Sequence, residues 1–88
     1  MSELSNINEV QKQANKYGVG KVFPSSRKNK KYMVQSPKDG MIHFGLAGAA
    51  DFTGHKNEDR RQRFRQRNKK WATAARWSPA WLSYYLLW

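Results

Sequence analysis

The chain contains no cysteine, so no disulfide can staple it and no thiolate can bind zinc. Carboxylates are scarce too, 6 against 17 lysines and arginines, and the formal charge is +11. A surface that cannot neutralise itself is drawn to polyanions, whether nucleic acid, an anionic membrane or an acidic protein face. Long apolar runs are missing. The most apolar stretch, residues 78–88, is about half of the ~20 residues that a bilayer crossing needs. Met1-Ser2-Glu3-Leu4-Ser5 lacks the basic and apolar regions of a secretory signal. At 88 residues the chain is at most one domain, of a size at which a single core stabilises by only a few kcal/mol.

The stretch from His55 to Trp88 is the most informative. Its first half carries Lys56, Arg60, Arg61, Arg63, Arg65, Arg67, Lys69 and Lys70, and its second half is nearly uncharged and holds all 4 tryptophans. A basic helix is expected over 57–70. Asn57 is the cap, Glu58 and Asp59 sit at the positive end of the dipole, and the two lysines lie near the other end. Phe64 is its sole apolar residue before Trp71, too thin a face for a core. A second helix is expected over 78–88, with Ser78 as cap, Pro79 at the first helical position and Trp77 stapled over Leu82. Aromatic side chains bury roughly 150–250 Å² each. The chain is short of body to hide so many, so Trp71, Trp77, Trp81, Leu82, Tyr84, Tyr85, Leu87 and Trp88 are expected to anchor a partner.

Residues 1–20 read as an amphipathic helical segment. Leu4, Ile7, Val10, Ala14 and Tyr17 recur at helical spacing over 5–17, Asn6 and Glu9 resemble a capping box, and Gly18 supplies the stop. Residues 21–31 read as a linker with a second basic cluster, Arg27, Lys28, Lys30 and Lys31, that can converge with the first on one anionic surface. Residues 31–35 and 41–44 alternate as strands around the turn Ser36-Pro37-Lys38-Asp39-Gly40. Alternation places Tyr32, Val34, Ile42 and Phe44 in the core. An isolated hairpin is marginal, so a third strand through Val22 and Phe23, with Phe64 and Trp71 lying over the face, is the expected support.

Catalytic and metal chemistry find little purchase. The glycine-rich run Gly45–Ala50 lacks both the Walker and the dinucleotide spacing. His43 and His55 have no cysteine nearby, and a metal site would require Asp39, Asp51 or Asp59 to be brought in by the fold. A His43–Asp51–His55 cluster is conceivable, but a structural, hydrogen-bonded His43 and a turn capped by Asp51 or Thr53 fit better. No catalytic residue, metal or cofactor is therefore assigned. For nucleic acid the arginines suit phosphate, whereas the tryptophans sit in a separate block instead of being interleaved as stacking platforms.

Taken together, Lys31-x-Met33-Val34, a glycine turn, Ile42-His43-Phe44-Gly45, Asp51-Phe52-Thr53-x-His55-Lys56, Arg60-Arg61-x-Arg63-Phe64-x-x-Arg67 and the closing Tyr85-Leu86-Leu87-Trp88 resemble small basic proteins encoded by giant DNA viruses and some large tailed phages. The resemblance covers about 31–88. It implies a viral setting and a place in the particle. The chain departs from that pattern at Gly45-Leu46-Ala47-Gly48, where relatives carry a Gly-Asp or Gly-Ser turn, and at Asn68, where His is common.

The expected fold is α+β: an antiparallel hairpin or three-stranded sheet packed by a basic helix, with helical extensions at both ends and residues 31–88 as the folded unit. The expected role is non-enzymatic, a minor capsid protein wedged between larger capsid subunits of a large double-stranded DNA virus. The alternative is sequence-independent binding and packaging of nucleic acid. Peripheral membrane contact is a third expectation. The expected location is the virion, and the host cytoplasm or nucleus during assembly.

Overall fold

The computed structural model describes residues 5–38 and 40–88. Leu4, assigned above to the apolar stripe, and Asp39, weighed as a ligand, lie outside the described residues. Helix α1 spans Ile7–Lys16, with Val10 and Ala14 buried. Three antiparallel strands follow in the order β1-β2-β3. They are β1 (Val22–Pro24), β2 (Lys30–Ser36) and β3 (Gly40–Leu46). A short α2 (Phe52–His55) leads to α3 (Glu58–Arg67) and a 3-10 turn over Lys69–Thr73. Helix α4 (Pro79–Leu82) runs directly into a π-helical segment, Ser83–Leu87. The fold is α+β with helical parts at both ends, as expected.

Local chemistry explains the element boundaries. Asn6 Oδ1 accepts from the N–H groups of Asn8 (3.0 Å) and Glu9 (3.4 Å), and Asn57 Oδ1 from that of Arg60 (3.1 Å). Ser78 Oγ accepts from Trp81 N–H (3.2 Å) with Pro79 next in the chain. Each cap satisfies donors that the first turn leaves free. The capping box at α1 is only half made: Asn6 N–H donates to Thr53 Oγ1 (3.0 Å), and Glu9 instead pairs with Lys12 and Lys56. The segment 21–31, read as a linker, contains all of β1 and the start of β2, with Val22 opposite Val34 and Pro24 opposite Tyr32.

The inner face of the sheet buries Val22, Tyr32, Val34 and Phe44, and Ile42 packs against them half-buried. Its cover corrects the reading of the tail. Leu82, Leu86 and Leu87 are 0–3 % exposed and join Val10, Ala14 and Val19 in the same core cluster. Phe64 and Trp71 do not form that cover, and α3 has no buried residue at all. A sheet face that Val10, Ala14 and Val19 cover only in part takes the apolar tail in preference to water, at roughly 1.5–3 kcal/mol per large side chain. Gly45 shows how close the approach is. Its φ is +79°, and a Cβ there would lie 3.0 Å from Leu87 Cδ1 and 3.2 Å from Lys31 Cβ.

A buried polar chain ties the parts together. Lys31 Nζ donates to Asp51 Oδ2 at 2.7 Å, and the two side chains are 9 % and 1 % exposed. Asp51 Oδ1 caps α2 by accepting from Thr53 N–H (2.9 Å) and from the Thr53 hydroxyl. Thr53 Oγ1 also reaches Ser5 Oγ (3.2 Å), which accepts from Tyr32 O–H (2.6 Å). The start of α1, the middle strand and α2 are thereby fixed to one another.

Candidate functional site

The helical phase of α3 sorts its arginines into two sets. Arg61 and Arg65, four residues apart, turn toward the tail, where both Nε–H groups donate to the Trp88 main-chain oxygen (2.9 and 3.1 Å). Their guanidinium groups stack over Phe52 (4.7 Å) and Tyr84 (4.8 Å). Arg60, Arg63 and Arg67 are exposed and form no ion pair among the described residues. Lys69 and Lys70 continue the exposed charge on the 3-10 turn.

The remaining cations divide in the same way. Lys31 is spent on Asp51 and is not open to an anionic partner. Lys56, the residue with a left-handed backbone between α2 and α3 (φ 56°), pairs at 3.5 Å with Glu9. Arg27 and Lys28 are exposed in the β1–β2 loop, which Asn29 C=O holds to the loop after β3 by accepting from Ala47 N–H (3.1 Å). That contact brings the second basic cluster to the end of the sheet where the 45–50 loop begins.

Three adjoining depressions make one groove along this side. Arg60, Arg63 and Arg67 line the first with Ala49, Ala50, Phe64 and Trp88. The second shares those alanines and aromatics and adds Leu46 and Trp71. The third shares Leu46 and Trp71 and reaches Lys30 and Pro79. The aromatic floor is a packed unit, with Phe64 stacked on Trp88 and meeting Trp71 edge-on at 5.7 Å. The charge that lies apart from the tryptophans in sequence lies beside them in space.

The expected anchors therefore require correction. Leu82, Tyr84 and Leu87 are buried in the chain's own core and cannot plug a partner's pocket. Trp77, Trp81 and Tyr85 are half-buried against that core. Trp81 and Tyr85 also gather around Tyr17 (5.8 and 5.2 Å), and Tyr85 O–H donates to Ala72 C=O. Trp71 and Trp88 remain half-exposed at the groove. Leu46, Ala49 and Ala50, which were not expected at a site, line the groove. Their only signal was the run of small side chains after β3.

The histidines do separate work. His43 Nδ1 shares a hydrogen with Ser25 Oγ (2.7 Å). His55 Nδ1 accepts from Asn57 N–H (2.9 Å), and its ring packs on Trp88 (5.2 Å). Burial, and then the Arg60 charge, push the His55 pKa below the usual 6.5, with Asp51 opposing. Among the described residues no three His, Asp or Glu side chains gather as a metal site.

Residues 20–68, from just before β1 to the C-cap of α3, match the model of a family of unknown function (DUF5754). Comparison with curated proteins and with solved structures gives no match. The matched segment is more than half of the chain, holding the whole sheet and the arginine-bearing helix, and the chain belongs to that family.

Proposed function

We propose that the protein is a non-enzymatic virion component that holds nucleic acid by its phosphate backbone without reading sequence. The observation that carries this is the row Arg60, Arg63 and Arg67, exposed on one side of α3 and unpaired among the described residues. Lys69, Lys70, Lys30, Arg27 and Lys28 extend the positive field around it. Guanidinium groups match phosphate oxygens in a two-pronged way, and each phosphate neutralised releases condensed counterions. The viral setting, with host cytoplasm or nucleus during assembly, follows from the resemblance described above.

Affinity for a random-sequence duplex should therefore fall linearly on a log–log plot against salt. Replacing the three arginines by glutamine should flatten the slope by about 2–3, at ~0.9 per phosphate contact. An unchanged slope in the triple variant would remove the basis for this reading.

A second reading, a capsid protein wedged between larger subunits, draws support from an apolar depression on the outer sheet face. It is lined by Val19, Phe23, Met33 and Met41, with Phe23 40 % exposed. Binding to purified capsid protein that persists at high salt and is lost in Phe23→Glu would favour it. Among the described residues no helix is long and apolar enough to cross a membrane.

A further inference from the structure

Phosphate contacts account for the arginine row but not for the apolar floor that continues from it. Trp71 lines two adjoining depressions, and Leu46 lines the same two. Leu46 is 63 % exposed, more than Ile7 or Phe23, and shares its depression with the Trp71 indole and Pro79. Cations close both ends, Lys30 past Trp71 and Arg60, Arg63 and Arg67 past Phe64 and Trp88. The groove thus alternates positive, apolar-aromatic and positive along its length.

We infer that this groove takes single-stranded nucleic acid, with phosphates on Lys30 and the arginine row and a base stacked against Trp71 opposite Leu46. The inference rests on the nucleic-acid reading above and narrows it. A duplex keeps its bases paired and presents only phosphate and sugar to such a floor, whereas a single strand offers an unpaired planar face between successive charges. Every base has such a face, so the contact is indifferent to sequence. Trp71 suits the role because it packs edge-on to Phe64 outside the buried core, and its loss removes little of what holds the sheet.

The test compares three labelled probes on the full chain at one salt concentration: oligo-dT, a duplex of the same length, and an oligo-dT with abasic sites through its centre. Oligo-dT should bind more tightly than duplex. The abasic strand should lose about 5- to 150-fold, the range for one stacked base. Trp71→Ala should lose a similar factor on oligo-dT alone, with duplex affinity retained and the melting temperature lowered by only a few degrees, and Trp71→Phe should restore most of it. Equal binding of all three probes overturns the groove assignment while leaving the phosphate reading intact. Failure of both oligo-dT and duplex to bind sinks the phosphate reading itself. Polyglutamate that displaces oligo-dT at equal charge concentration assigns the groove to an acidic peptide and overturns the inference.

Discussion

The indole of Trp88 lies flat on the phenyl ring of Phe64, centroids 4.3 Å apart and planes 7° from parallel. That one stack joins the most charged helix to the most apolar segment, and the Arg61 and Arg65 hydrogen bonds to the Trp88 oxygen reinforce it. Trp88→Ala should therefore lower stability by about 2–3 kcal/mol. This is below the 3–5 typical of fully buried tryptophan, because the ring is half-exposed. Urea denaturation followed by circular dichroism measures it, and a loss under 0.5 kcal/mol would mean that the stack does not fasten α3.

Truncation after Trp77 should unfold the whole chain, leaving no independently folded hairpin. The cut removes Leu82, Leu86 and Leu87 from a core whose other members are mostly valine, alanine, Tyr32 and Phe44. At about 2–5 kcal/mol for each large side chain lost, this exceeds what a domain of this size holds in reserve. Amide dispersion in a proton–nitrogen spectrum should collapse, and a well-dispersed spectrum would contradict the assignment of the tail to the core.

The Lys31–Asp51 pair should respond asymmetrically. Asp51→Ala strands a buried ammonium and removes the α2 cap, at about 3–5 kcal/mol. Lys31→Met strands a carboxylate that is 1 % exposed but still accepts from Thr53, and should cost less, about 3 kcal/mol at the low end of that range. Equal losses in the two variants would show that the cap contributes nothing.

Acid should weaken the fold through His55. Its folded pKa lies below the unfolded 6.5, so just under pH 6.5 the unfolded chain binds more protons. Stability is complete above that value and is lost as pH falls toward the folded pKa. Glu9, held below 4.5 first by Lys12 and then by Lys56, contributes only at lower pH. Melting temperatures between pH 7.5 and 5 should decline for the native chain and stay nearly level in His55→Gln. A parallel decline in both would place the acid sensitivity elsewhere.

What was legible in the sequence was what neighbouring residues decide. Asn57 and Ser78 announced their helices because a cap needs only the next turn, and the strand through Val22 followed from a hairpin in need of a partner. The destination of the tail was not legible. Apolar residues at 82, 86 and 87 look the same whether they fill a partner's pocket or their own sheet, and only topology decides. The same gap hid the division of the arginines. Arg61 and Arg65 differ from Arg60 and Arg63 by a rotation about α3, which has no meaning until Trp88 has docked.

The order of synthesis gives the tail a further significance. The inner sheet face, Val22, Tyr32, Val34 and Phe44, is made before Leu82, Leu86 and Leu87, so until those leucines are added it has only Val10, Ala14 and Val19 to pack against. A chain stopped anywhere before residue 82 should therefore lack all three leucines of its core and aggregate through the uncovered sheet face.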